Sequence, residues 1–508
     1  MKYNKNVIKK WDIFEIETEI NQKFSNPFIE VEMEALFTNG QVEKRVNGFY
    51  DGNNTWRIRF MPEELGEYSF SIRSNIPEYN GLQGSFVCVE PSPGNHGPIR
   101  VSKKYHFSYA DLTPFFVMGT TAYAWAYMPE KMRKQTLEAF KKYNFNKIRM
   151  LFFPKHLNGF EDIEITYEPP VYPFKGEKGS FDFRYFNVDY FRNFEDRVED
   201  LMKLGIEADV ILFHFYDFGQ WGIDAGMKLE DELFYLKYII SRLGAYRNVW
   251  WSLANEYDMM VDYSTKKFWA DPYTKYWDSL GAFVQQNDPY NHLRSIHNMK
   301  IIYPQRPWVT HVSYQFPNTY SLLLDLKHTY GMPVVNDEYQ YEGNLKHNWG
   351  NSKPERVVFA HWLSAMAGGY ATHGETYIID GNRKDIFWAY GGTLVGESPR
   401  RLQFMKTILE QCPYQEMESD LTRGDGINVF CLKKEIQVYL YFVKNASEFK
   451  GIGSLYLRND KAYEVTIYDV WNCEIGHKFN LSPEENEFLS KAPQCKISDW
   501  SVIKFEMK

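Results

Sequence analysis

Hydrophobic and polar positions follow three successive rhythms along the chain. Over residues 1–98, β-forming residues alternate or cluster at 7–19, 28–37, 56–60 and 67–73, with Asn39-Gly40, Asp51-Gly52 and Asn80-Gly81 between or after them. An Asn or Asp followed by Gly tolerates the positive φ of tight hairpin turns, so this stretch predicts an N-terminal Ig-like β-sandwich. PSPGNHGPI, residues 91–99, is dense in Pro and Gly and marks the boundary.

Over 99–411 the rhythm becomes strand, loop, helix, repeated. Strand-like apolar runs fall at 115–119, 147–153, 208–215, 249–254, 293–297, 309–314, 333–337 and 369–372, with helical stretches at 129–143, 188–204, 230–245, 272–287 and 354–367. Eight strands alternating with helices predict a central (β/α)8 TIM barrel, whose chemistry belongs at the C-terminal ends of its strands. A doubly wound open sheet would also alternate, but the GxGxxG turn expected after its first strand is missing. From 412 to 508 the β pattern returns in INVFCL, IQVYLYFV, GSLYLR, YEVTIYDVW and WSVIKFEMK, which predicts a C-terminal β-sandwich. No repeat with a solenoid period is visible.

Composition narrows the function. The 14 Trp, 37 Tyr and 38 Phe exceed what cores of this size need, and favour an aromatic-lined cleft suited to the apolar faces of sugar rings. A net charge of -8 with no basic face argues against nucleic-acid binding. The five Cys stand singly without a CxxC, as reduced thiols of a cytoplasmic protein would, and the N-terminus shows no apolar signal core. No apolar run is long enough to span a membrane. HExxH, GxSxG and the P-loop are absent, so neither a metal site nor a cofactor is expected, and an α/β serine hydrolase or NTPase is disfavoured.

Within the expected barrel, Asn255 and Glu256 end strand four in VWWSLANEYD, and Glu338 ends strand seven in VVNDEY. One Glu after an apolar strand is ordinarily a solvated loop residue. Two of them, one preceded by Asn, on strands that face each other across the mouth form the pair that glycoside hydrolysis needs: one carboxyl protonated to assist the leaving oxygen, one ionised to attack. An apolar or anionic surrounding would keep Glu256 protonated, and hydrogen-bond donors would keep Glu338 ionised. His214 ends strand three, where it can serve a substrate hydroxyl, orient a carboxylate, or be a core His bonded to backbone. Tyr314 ends strand six, where its hydroxyl would donate to Glu338 unless it is simply packed, and His297 after strand five is equally open. His373 and Glu375 form a second His-carboxylate cluster in ATHGET; Glu375 rivals Glu338 for the catalytic role, but the strand position of Glu338 fits the pair better, which leaves Glu375 to bind sugar. Trp125, Trp221 and Trp388 sit in loops where they would stack on a sugar or pack a lid. Trp250 and Trp251, inside strand four, read as structural, one facing inward and the other the helices. Asp258 reads as a loop residue or as one that supports the site from behind, rather than as a third catalytic carboxylate.

LANEYD and NDEY resemble the acid/base and nucleophile motifs of the clan A glycoside hydrolases. FFVMGTTAYAWAYM, FNKIRMLFFP and GGYATHGE are similar to the apiosidase-like family within that clan, and GFYDGNNTWRIRFMPEELGEYSF resembles the sandwich that precedes its barrel. The resemblance implies Glu256 as acid/base, Glu338 as nucleophile and Asn255 as donor to the sugar 2-hydroxyl. The expectation is a retaining, exo-acting glycoside hydrolase of a carbohydrate substrate; exo action follows from reading no export signal, since an internal enzyme meets imported oligosaccharides. An endo-acting relative of the same clan and an inactive carbohydrate-binding barrel are the alternatives, and a homo-oligomer stays open.

Overall fold

In a computed structural model of the chain, the described residues are 1–155, 169–214, 226–259, 261–262, 267–268, 275–317, 320–379, 386–445, 457, 460–486 and 498–508. Two sheets stack near the N-terminus. One orders Lys2–Tyr3, Phe14–Glu19, Thr55–Phe60 and Phe49–Tyr50; the other orders Val7–Lys9, Gln83–Val89, Gly66–Ser74, Met33–Thr38 and Glu43–Asn47. Alternation fills the space between them: Phe14 stacks on Phe86 and Phe37 on Phe60, each pair with centroids 4.1 Å apart. Gly40, Gly52 and Gly81 adopt the positive φ expected of their turns.

Two of the expected strands are divided. Trp11 takes φ +64, which breaks 7–19 into Val7–Lys9 in one sheet and Phe14–Glu19 in the other. At 28–37, Pro27–Glu30 is instead a helical turn, because the Asn26 side chain accepts from the Phe28 N–H and Pro27 occupies the first helical position; the strand begins at Met33.

Eight parallel strands follow: Gly119–Thr121, Lys147–Leu151, Glu207–Ile211, Val249–Ser252, Arg294–Ser295, Val312–Tyr314, Val334–Asn336 and Tyr370–His373, here numbered one to eight. Their sheet runs in the order five-four-three-two-one-eight-seven-six, and a single parallel bridge, His297 to Ser313, joins five to six. The result is a nearly closed TIM-like barrel. Strand one lies C-terminal to its expected place, since Phe115 pairs with Phe107 in a separate sheet of Ile99–Ser102, His106–Tyr109 and Pro114–Phe115. Phe107 from that sheet packs on Trp250 and Tyr370 and so plugs the N-terminal end of the barrel. The helices Glu130–Tyr143, Val188–Lys203, Leu229–Leu243, Lys275–Asn287 and Pro354–Met366 match the periodic stretches, with Tyr320–Tyr330 and Ser398–Glu410 in addition. Among the described residues no helix is long and apolar enough to cross a membrane.

The C-terminal region contributes a six-stranded antiparallel sheet, in the order Glu418–Ser419, Val429–Lys434, Val438–Lys444, Trp500–Met507, Tyr463–Asp469 and Glu474–Leu481. One face packs on helix Pro354–Met366, where Trp362 stacks on Phe442 at 5.1 Å. The other face buries Cys431, Tyr441, Val465 and Phe505, with Leu457 against them. Apart from Leu457, the expected strand GSLYLR lies outside the described residues.

Candidate active site

Strand two is buried at every position, although its sequence KIRML carries two cations. The Lys147 ammonium meets Asp209 at 2.7 Å and Asp337 at 2.9 Å, and Asp337 also accepts from Ser313 and Thr372, each at 2.6 Å. Burial opposes the charge on Asp337, but Lys147 and Arg149 outweigh it and hold the carboxyl well below its ordinary range. The barrel interior is thus tied together by ions from strands two, three and seven, with hydroxyls from six and eight.

One layer above, Arg149 reaches the mouth. Its Nη1 donates to Glu338 Oε1 at 2.9 Å and its Nη2 to Asn255 Oδ1 at 2.6 Å, which the Tyr123 hydroxyl also approaches at 3.4 Å. The backbone after strand four is held on both sides: Asn255 N–H donates to Phe213 and Tyr257 N–H to His297. Between them Glu256 takes φ +50, a left-handed conformation that costs a non-glycine residue about 1–3 kcal/mol. That turn aims its carboxyl toward Gln315, whose Nε2 donates to Glu256 Oε1 at 2.9 Å. Asp258 accepts the N–H groups of Met299, Lys300 and Ile301, and so fixes the loop after strand five, as a loop residue should.

Burial raises the Glu256 carboxyl against the charge of Lys155 and the Gln315 hydrogen bond, in the direction expected for a proton donor. Contrary to the expectation of donors that keep Glu338 ionised, burial also pushes this carboxyl up, to about 8, against the neighbouring Tyr341 hydroxyl. The Arg149 ion pair pulls the same way as Tyr341, toward the carboxylate. Tyr314 does not supply the expected donor to Glu338: its hydroxyl lies beside the Asn336 side chain, and the hydroxyl near Glu338 is that of Tyr341, from the loop after strand seven, without a formed hydrogen bond.

The other expected residues separate into groups. His214 is buried at the end of strand three, and His297 is fully buried, held neutral by desolvation and the nearby Arg149 charge. Trp388 is nearly buried in an aromatic wall with Tyr123, Tyr341 and Trp349, and Lys155 lies 4.6 Å from its ring centroid. Trp125 is not available to stack on a sugar: it has no exposure, and its Nε1 donates to the Arg133 carbonyl. Trp221 lies outside the described residues. Trp250 turns inward, 5.5 Å from the Lys147 ammonium, and bonds Glu207, whereas Trp251 bonds Asp288.

His373 and Glu375 do not join this group. Thr372 points into the barrel at Asp337, so the next residue in the strand, His373, points out, where it contacts Thr120 and Phe145. Glu375 accepts the N–H groups of Val395 and Gly396, one on each oxygen. Although no metal-binding spacing occurs in the sequence, these two side chains gather with Glu342 into a buried cluster whose ligand atoms lie within 4.8 Å.

Sequence reasoning missed Arg149, Gln315, Tyr341, Tyr123 and Lys155. Arg149 left a signal, since alternate charged residues within the apolar run NKIRMLFF can only be inward-facing and paired. Gln315 follows Tyr314 directly and could have been read as the rim residue of strand six. Tyr341 and Lys155 lie on loops with no periodic cue.

The arrangement gathers at the mouth a carboxyl backed by a cation, a second backed by an amide, and an aromatic wall, groups that can support acid/base and nucleophilic chemistry. Residues 101–416, more than half the chain, match the model described as "Apiosidase-like, catalytic domain", and residues 7–75 match a domain of unknown function, DUF5060. No curated protein matches the chain. A Bacteroides vulgatus protein provisionally named a glycoside hydrolase is similar over 99% of this chain and 100% of its own, at 35% identity and a TM-score of 0.86. A family 5 glycoside hydrolase of the same organism shares the fold, at 14% identity and a TM-score of 0.59 over 82% of this chain and 94% of its own.

Proposed function

We propose that this chain, which belongs to the apiosidase-like family and is a glycoside hydrolase of the clan A type, is a retaining, exo-acting enzyme. Glu338 attacks the anomeric carbon while Glu256 gives its proton to the departing glycosidic oxygen, so that the C–O bond to the leaving group breaks as the glycosyl ester forms. Glu256, now a carboxylate, takes a proton from water, whose oxygen displaces Glu338 and releases the sugar with its original anomeric configuration.

The observation that carries this reading is the Arg149 bridge between Asn255 and Glu338, which holds the two motif segments in one rigid unit at the mouth. Arg149 favours an ionised nucleophile, and Asn255, held at its Oδ1 by Arg149, is assigned the role of donor to the sugar 2-hydroxyl. Burial supports a protonated Glu256 in the resting enzyme. The exo reading draws on depth: the Glu338 side chain is only 12% exposed and the aromatic wall of Tyr123, Tyr341 and Trp388 closes one side, which suits a single terminal sugar better than a through-running polymer.

Aryl glycosides and apiose-, arabinose-, xylose- and galactose-containing oligosaccharides identify the sugar. With the active substrate, NMR at early times should show the anomer retained and only monosaccharide released, and Glu338→Gln should lose turnover by about 10⁴-fold or more. An inverted first product refutes the retaining mechanism, longer products refute exo action, and full activity of Glu338→Gln refutes the nucleophile.

A further inference from the structure

We propose that Glu342, His373 and Glu375 form a site for one divalent ion of the zinc class, set outside the barrel wall and independent of the roles proposed for Glu256 and Glu338. All three side chains are buried, and one ligand atom from each lies within 4.8 Å of the others. The backbone brings them together. Glu342–Gly343 and Glu375–Thr376 pair as short parallel strands with Glu342 directly opposite Glu375, and His373, two residues before Glu375, lies on the same side of the chain.

Among the described residues the two carboxyls lack a cationic side-chain partner. Glu342 is 0% and Glu375 1% exposed, and among the described residues no lysine or arginine forms an ion pair with either. Their hydrogen bonds come from backbone: Val395 and Gly396 N–H to Glu375, Glu397 and Ser398 N–H to Glu342, at 2.7–2.9 Å, with the Tyr377 hydroxyl at 3.2 Å from Glu342. Each carboxylate keeps a lone pair beyond these bonds. Such amides orient ligating carboxylates in the shell around a metal.

His373 supplies the independent sign. Its Nδ1 lies 2.9 Å from Thr120 Oγ1, while its Nε2 has no partner although the ring is fully buried. With Nδ1–H donating to Thr120, Nε2 presents a bare lone pair, the ligating form of imidazole. A proton shared between the carboxylates would relieve their repulsion but leave Nε2 orphaned; a cation serves all three groups. One imidazole and two carboxylates suit zinc better than calcium, which prefers oxygen alone. Bonds of about 2.0–2.2 Å would draw the ligand atoms closer than they now stand. Gly396 lies over the cluster, where a Cβ would come within 2.6 Å of Glu375 Oε2, and the fourth position of a zinc held by three side chains would fall to water or to a second carboxylate oxygen. Bound metal would tie strand eight and the start of helix Ser398–Glu410 to the segment that carries Tyr341.

The test uses the full chain, stripped with chelator, reloaded with zinc and dialysed against metal-free buffer. Elemental analysis should find about one zinc per chain in the wild type and about a tenth of that in His373→Gln and Glu375→Gln, with a zinc-dependent rise in Tm confined to the wild type. Cobalt loaded in place of zinc should give visible d–d absorption in the wild-type protein, which needs no variant to fold. Wild-type protein that retains no zinc and shows no cobalt spectrum overturns the proposal, as do folded variants that keep the full zinc content.

Discussion

Arg149 donates to Glu338 across 2.9 Å from a side chain with no solvent exposure, and the same guanidinium holds Asn255. Because the cation favours the carboxylate form of Glu338, its removal raises that carboxyl further. The proposed mechanism requires the ionised form, so on that reading the acid limb of the pH profile moves upward. In Arg149→Met we expect kcat/KM to fall about 10²–10³-fold and its acid limb to rise by about a unit. A profile with unchanged limbs would mean that Arg149 does not act on Glu338.

Gln315 acts on the other carboxyl. Its hydrogen bond lowers Glu256, so Gln315→Ala should raise Glu256 and, because the proton donor must stay protonated, carry the basic limb of kcat/KM to higher pH. The expected loss in kcat is about tenfold. A basic limb that moves down would assign the donor role to another group.

Asp51 links the sandwich to the barrel. Burial pushes its carboxyl up, but Arg242, Arg57 and Arg192 prevail and bring it from 3.8 down to about 2. A carboxyl lowered in the folded state stabilises it fully above the unfolded value of 3.8 and loses that contribution as pH falls through about 2. Screened by solvent, the contribution is about 1–2 kcal/mol. Denaturant titrations should show Asp51→Asn destabilised at pH 7, with the difference from wild type shrinking below pH 4. A difference independent of pH would show that packing, not charge, dominates there.

Trp362 joins the barrel to the C-terminal sheet through its stack on Phe442, and its side chain is fully buried. Trp362→Ala should cost about 3–5 kcal/mol, seen as a lower midpoint of thermal or denaturant unfolding. A loss below about 1 kcal/mol would mean the two units do not unfold together.

Much of this fold is written in local periodicity. Five helices follow the 3.6-residue pattern, five of the eight barrel strands fall within their apolar runs and two more overhang theirs by one residue, because such runs need only neighbours in sequence to declare themselves. Errors arose where one backbone angle or cap overrode the pattern, at Trp11 and Pro27, and where Phe115, as apolar as any barrel residue, pairs with Phe107 instead.

At the site, Asn255, Glu256 and Glu338 were visible because each ends a buried run with a polar group that such a run does not need. Tyr341 was not, because a tyrosine in the loop that follows Glu338 has no periodic mark, and the fold sets the Tyr314 hydroxyl beside Asn336. Trp125, open in the sequence between stacking on a sugar and packing a loop, proves to be core.

The sequence by itself therefore determined the order of the units, the barrel and the identity of its two motif carboxyls, since these depend on residue type and local spacing. Only the tertiary structure decided what surrounds them. That Arg149 holds Glu338, that Gln315 holds Glu256, and that Glu342 meets His373 and Glu375 outside the barrel wall all depend on which faces of distant strands converge. Convergence is set by sheet closure and by left-handed turns such as that at Glu256, and a linear pattern carries neither.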